Sequence, residues 1–287
     1  VFNRDPSDPN RWNEVAKLIP PENNGPGVGN DAFGTAVAVA GDTILVGAPN
    51  GNLPGAPRSG RVFVFRRIAG SWDHTQTLLA PETHPSGITG DGEFFGRALD
   101  LEGNTAVVGA PGANRSGDGS DVSLGAVHVF RRTDESADWT HAVQIDDFDD
   151  PEAVNHRGLG HSVDLDGDRL AIGVYSGGSP GGGFRPGEGR IHERDAGAAA
   201  QWGRVQAILP PEGVPSTHFG HSASLAGELL MIGAPGASLE SGDRRGRSHL
   251  FRRDAGSGQW VAIDRFIPGS AGDRFGPSAG IAGFTAG

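Results

Sequence analysis

The chain has 287 residues, 36% hydrophobic and 21% charged, with no cysteine and a formal net charge of −11. That hydrophobic share supports a packed core and excludes a disordered chain, and the lack of cysteine excludes disulfides, thiolate metal sites and cysteine nucleophiles. The acidic balance argues against nucleic acid or an anionic membrane as partner, and no apolar run approaches the roughly 20 residues of a membrane-spanning helix.

The first element is Val1-Phe2-Asn3-Arg4-Asp5 followed by Trp12, which matches Leu250-Phe251-Arg252-Arg253-Asp254 followed by Trp260. A full unit then runs from Phe33 to Glu82. Thr35-Ala36-Val37-Ala38-Val39 reads as a short strand, and Gly41-Asp42 as a tight turn. Thr43-Ile44-Leu45-Val46 reads as a second strand, stopped by Gly47-Ala48-Pro49 because proline cannot donate to a continuing ladder. A Gly/Pro-rich loop leads to a third strand, Arg61-Val62-Phe63-Val64-Phe65, and a turn leads to a fourth, Trp72 to Leu79. Short strands joined by turns predict a four-stranded antiparallel meander.

The unit repeats. Phe-Gly returns at Phe95-Gly96, Phe219-Gly220 and Phe275-Gly276, with a degenerate Leu159-Gly160 between. Gly-Ala-Pro returns at Gly109-Ala110-Pro111 and Gly233-Ala234-Pro235. The five tryptophans (Trp12, Trp72, Trp139, Trp202, Trp260) recur about every 60 residues. The 48 glycines and 20 prolines lie between apolar runs, as tight turns of an all-β protein require. Strands one and three are apolar on both faces, whereas the fourth is polar (Asp73, His74, Thr75, Gln76, Thr77). A sheet covered on both faces, with an inner strand of small residues and a wetter outer strand, predicts a propeller blade. A sandwich would leave one face of each sheet solvated.

These motifs resemble the bacterial branch of the FG-GAP repeat proteins, related to the seven-bladed propeller of integrin α subunits. The resemblance implies a β-propeller of four-stranded antiparallel blades. Four starts, at 33, 95, 159 and 219, give blades over 33–82, 95–152, 159–212 and 219–268. A fifth, composite blade would join 275–287, with a first strand over Phe275–Ala282, to residues 1–22. The alternative is part of a seven-bladed ring. The composite blade stops before its Gly-Ala-Pro, so a third expectation is completion by a neighbouring chain, that is, self-assembly.

The resemblance implies an extracellular or cell-surface module that mediates adhesion or assembly, with a protein or glycan partner. The first residue is Val1 and no signal peptide is visible, as expected of a chain whose upstream segment has been removed. Integrin-type repeats carry calcium in an oxygen-rich loop. Here the corresponding loops are two-residue turns, so the expectation is no cofactor. Calcium retains one candidate set, Asp164, Asp166 and Asp168, set against an Asp-Gly hairpin turn.

The third unit departs most from the repeat. Gly-Ala-Pro becomes Gly173-Val174-Tyr175, with the only tyrosine, and Phe-Arg-Arg becomes His192-Glu193-Arg194 after the acidic run Asp146-Asp147-Phe148-Asp149-Asp150. Drift in a tolerant blade and a ligand-facing side are the two readings. The residues after each Phe-Gly are Thr35, Arg97, His161, His221 and Pro277, placed to line one mouth of a central channel. Arg97, His161, His221 and Tyr175 are the candidate ligand-binding residues. The paired arginines (Arg66-Arg67, Arg131-Arg132, Arg252-Arg253) are expected to pair with acidic neighbours such as Asp134 and Asp254. No Gly-x-Ser-x-Gly, His-Glu-x-x-His or phosphate loop is present. The enzymatic alternative is a carbohydrate-active hydrolase or lyase at the channel mouth.

Overall fold

The computed structural model describes residues 1–21, 31–52, 58–81, 92–113, 124–148, 156–178, 184–185, 187–196, 201–211, 218–237, 245–268 and 275–281. Among them there is no helix, and four sheets follow one plan. Blade I is β3 (Val37–Ala40), β4 (Thr43–Ala48), β5 (Arg61–Ile68) and β6 (Ser71–Leu78). Blade II is β7 (Ala98–Glu102), β8 (Thr105–Ala110), β9 (Ala126–Arg131) and β10 (Thr140–Asp146). Blade III is β11 (His156–Asp166), β12 (Arg169–Gly178), β14 (Glu188–Arg194) and β15 (Trp202–Ile208), with the short β13 (Phe184–Arg185) added to β12. Blade IV is β16 (Ser222–Ala226), β17 (Leu229–Ala234), β18 (Arg247–Arg253) and β19 (Trp260–Phe266). Each is an antiparallel meander in sequence order. The architecture is a β-propeller of about five blades, four of them complete. At the remaining position, β1 (Phe2–Arg4) and β2 (Trp12–Glu14) form a two-stranded hairpin beside blade I.

The Phe-Gly and Gly-Ala-Pro motifs are two halves of one contact between blades. The glycine of each second strand lies against the carbonyl oxygen of the next blade's Phe-Gly: Gly47 on Gly96, Gly109 on Gly160, Gly173 on Gly220 and Gly233 on Gly276. A methyl group at any of these four would overlap that oxygen, so only glycine fits. The residue that opens each Phe-Gly also bridges the preceding blade, as Gly60 to Phe95, Gly125 to Leu159, Gly187 to Phe219 and Gly246 to Phe275. Leu159 fills the Phe position of the third unit without loss of burial, as a large apolar side chain should.

Apolar cores fill the seams. Leu45, Val62 and Val64 of blade I pack with Phe95, Leu101, Ala106 and Val108 of blade II, and equivalent sets join II to III and III to IV. The tryptophans seal the outer strands: Trp139, Trp202 and Trp260 are buried. Gln76 brackets the Trp139 main chain, donating to its carbonyl at 2.8 Å and accepting from its N–H at 2.8 Å, and Gln206 does the same for Trp260 at 3.0 and 2.7 Å.

Of the arginine pairs, Arg253 meets acidic side chains as expected, but not the aspartates named from the sequence. Asp134 and Asp254 cap their own turns, accepting from Ser136 and Ser257. Arg132 stacks on Trp139 at 4.6 Å and donates to Asn104, Thr43 and the Gly103 carbonyl. Arg253 lies 3.8 Å from Glu193 of β14 in blade III and 3.8 Å from Glu228 in the β16–β17 turn of its own blade. The turn amides outcompete the guanidinium for those aspartates because they are fixed at short range, whereas a long arginine reaches the preceding blade and covers apolar surface.

At the C-terminus, Phe275 bridges Gly246, and 275–281 form no strand, where a first strand was expected. The segment still follows β16, with Ser222 Oγ donating to the Gly276 carbonyl at 2.9 Å and Ile281 N–H donating to Ser224 Oγ at 3.0 Å. Pro277 supplies no N–H for a ladder there. Residues 82, 149–150 and 282–287, on which several sequence expectations fall, lie outside the described residues.

Candidate binding site at the channel mouth

Three repeat positions build a cavity of about 510 Å³ at one end of the inner strands. The first precedes the Phe of each Phe-Gly and supplies Ala32, Phe94 and Gly158. The second follows the Gly and supplies Thr35, Arg97 and His161. The third closes Gly-Ala-Pro and supplies Pro49, Pro111 and Tyr175, with Asn50 and Gly112 completing the lining. In blade IV the first two positions are His218 and His221, both in ring contact with Tyr175. The first position is left-handed throughout, at φ 56° for Ala32, 55° for Phe94, 81° for Gly158 and 52° for His218. A non-glycine residue there costs on the order of 1 kcal/mol. The turn that imposes it is closed by hydrogen bonds from Thr35, Arg97 and His221 N–H to the carbonyls of Ala32, Phe94 and His218 at 3.1, 3.0 and 3.2 Å.

Four rings form a continuous slab. His161 stacks on Tyr175 with centroids 4.6 Å apart and planes 17° apart, and Tyr175 stacks on His218 at 4.7 Å and 25°. His221 packs on His161 at 4.6 Å and on the edge of Tyr175 at 5.5 Å. Tyr175 stands where the other repeats have proline, so the departure of the third unit is what creates the slab.

The imidazoles are fixed by a repeated bond. His161 Nδ1–H donates to the His221 carbonyl at 3.1 Å, and His221 Nδ1–H donates to the Pro277 carbonyl at 3.1 Å. A carbonyl only accepts, so each Nδ1 carries the proton and each Nε2 keeps a lone pair. Burial first, then the charges of His221 and Arg97, lowers the His161 pKa to about 4. Burial, offset by the Pro277 bond, also lowers His221, and Arg97 and His218 lower it further. Both rings are neutral at pH 7. The mouth therefore combines one guanidinium, the His161 imidazole with His221 packed on it, and an aromatic face, and among the described residues its lining holds no carboxylate.

Arg97, His161, His221 and Tyr175, singled out from the sequence, thus lie together. Asp164, Asp166 and Asp168 do not converge. Asp164 accepts the Leu225 N–H and Asp166 the Gly227 N–H, at 2.6 Å for the latter, both in the next blade; Asp168 pairs with Arg194 at 3.0 Å. Asp100 and Glu102 of blade II brace blade III in the same way, through Leu165 and Gly167 N–H at 2.6 Å each. The inner strands are stitched by carboxylates because each blade offers the preceding one an unpaired inner N–H edge. Among the described residues no group of three His, Asp or Glu could hold a metal ion. Of the acidic run, Asp147 pairs with the buried Arg190, which Glu188 also holds. Phe94 and His218 escape sequence reasoning; the signal for them is their fixed place one residue before each Phe-Gly.

Comparison with known proteins supplies three findings. A family model described as FG-GAP repeat matches residues 12–65 and 72–130. No curated protein matches the sequence. Among solved structures, a protein from Lactobacillus plantarum is similar at 10% identity and a TM-score of 0.44, over 82% of this chain and 56% of that one. The chain thus spans a little over half the length of that protein.

Proposed function

From a chain that carries FG-GAP repeats on a propeller frame we infer a binding module that takes an acidic saccharide at the mouth of its central channel. One observation carries this reading: Arg97 stands beside two neutral imidazoles and a stacked aromatic face, in a cavity whose described lining holds no carboxylate. A sugar ring presents apolar C–H groups to an aromatic face and hydroxyls to Nε2 acceptors, and its carboxylate pairs with the guanidinium. Placement outside the cell or on its surface, in adhesion or assembly, is the setting we propose; the acidic chain and the FG-GAP resemblance support it.

Glycoside hydrolysis by acid–base catalysis uses two carboxyl groups, and the described residues of the lining include none. A lyase is the second reading, favoured by one feature: the His161 Nε2 lone pair next to Arg97, a base beside a cation for an acidic sugar. Calorimetric titration with oligogalacturonate tests the binding reading. Saturable binding that Arg97→Ala removes supports it; an unsaturated sugar product would select the lyase, and absence of binding would end both.

A further inference from the structure

The channel mouth holds a second aromatic surface, separate from the slab of His161, Tyr175 and His218. Phe94 of blade II is half-buried and lines the cavity. It takes the turn position that carries Ala32 in blade I and Gly158 in blade III, and holds φ 55° there. A bulky side chain kept in the left-handed region at a cavity rim is strain of the kind that clusters at ligand sites. Glycines brace its ring. A methyl group on Gly112 would come within 2.7 Å of Phe94 Cδ2, and one on Gly92 within 3.5 Å of Cε2.

Between Phe94 and the slab the lining carries little side chain. Pro111-Gly112 and Gly158 form it, and a methyl group on Gly158 would meet Pro111 Cβ at 3.9 Å and Tyr175 Cβ at 3.6 Å. Blades I, II and IV place Ala32, Phe94 and His218 at the Gly158 position, so blade III alone leaves it bare. Arg97 links the two surfaces. Its N–H donates to the Phe94 carbonyl at 3.0 Å, and its guanidinium lies close enough to act on the imidazoles of His161 and His221. The cavity, about 510 Å³, falls in the range that encloses a drug-sized ligand, larger than one hexose.

We propose that the mouth has two subsites and takes at least two linked residues of a linear acidic polysaccharide, with Phe94 as the platform of the second subsite. The proposal rests on the acidic-saccharide reading of the mouth. One sugar packs against His161 and Tyr175, the chain crosses Gly158, and the next sugar lays its C–H face on Phe94. Arg97 pairs with a carboxylate between them. Phe94 thereby sets the length of chain that is recognised.

Galacturonate, digalacturonate and trigalacturonate are set to compete with a fluorescent trigalacturonate on the 287-residue protein. The dimer should bind at least about tenfold tighter than the monomer. Phe94→Ala should bring dimer and trimer to within about twofold of the monomer and leave the monomer's affinity unchanged. Ala32 holds the same turn at φ 56°, so the variant should keep its melting curve. Equal affinity for monomer and trimer overturns the proposal while the mouth stays an acidic-saccharide site. So does a Phe94→Ala variant that keeps the gain from monomer to dimer, or that weakens all three by one factor. If the fluorescent trimer does not bind at all, the acidic-saccharide reading fails and the second subsite with it.

Discussion

Gly109→Ala probes the contact between blades most sharply. The new methyl would overlap the Gly160 carbonyl oxygen, with the carbonyl carbon at 3.0 Å and Ala98 Cβ at 3.3 Å. Two of these neighbours are main-chain atoms of blade III, so no flexible side chain can yield and the seam between blades II and III must open. Overpacking of this kind costs up to about 3 kcal/mol, which for a chain of this size lowers the melting temperature by up to roughly 5 °C. Differential scanning calorimetry reads the change. Gly280→Ala is the control, since nothing lies within 4 Å of its added methyl. If Gly109→Ala melts within about 1 °C of the unaltered protein, against the cost expected of overpacking, the latch account of the two motifs is wrong.

Acid should destabilise the propeller through its buried histidines. Burial lowers His128 to about 3, with His141 adding to it, and lowers His161 and His192 to about 4. All three are protonated sooner in the unfolded chain, near 6.5, so their contribution is present above pH 6.5 and is lost as pH falls toward 4. Each costs about 1.4 kcal/mol per pH unit in that window, and urea midpoints that stay flat from pH 7 to 4.5 would refute it. Asp164 has the opposite sign: burial, then Asp100, raises its pKa, so its contribution is present at low pH and is lost as pH rises. Asp164→Asn should therefore leave stability at pH 8 unchanged or higher in urea titrations, since an amide oxygen can still accept from Leu225; a loss of about 2 kcal/mol would contradict that reading. Gln76→Ala removes both bonds to the Trp139 main chain and should cost about 1–3 kcal/mol. An unchanged urea midpoint would show that water replaces them.

Much of the fold is legible in the sequence because the repeat writes it several times. The alternation in Val62-Phe63-Val64-Phe65 and the stop at Gly47-Ala48-Pro49 place strands and turns by local rules. What Phe-Gly and Gly-Ala-Pro do to one another is not legible, since the contact joins glycines about 50 residues apart, as Gly47 and Gly96 are, in different sheets. The same holds for the carboxylates of Asp164 and Asp166, which resemble a cation loop in the sequence but reach the next blade's main chain. At the mouth, Arg97, His161 and His221 could be placed because repeat register alone puts them on one ring. Tyr175 could be chosen because it breaks the repeat. Phe94 and His218 could not, because a left-handed turn aims them and bulky residues seldom adopt it.

Calorimetry with oligogalacturonate against its neutral galactose counterpart tests the proposed anion-binding site at the channel mouth most directly. The acidic oligosaccharide should bind at 1:1, at least about tenfold tighter than the neutral one, with Arg97→Ala abolishing the difference and Arg66→Ala leaving it intact. Equal affinity for both sugars, or full binding by Arg97→Ala, would contradict the assignment of the mouth as the site.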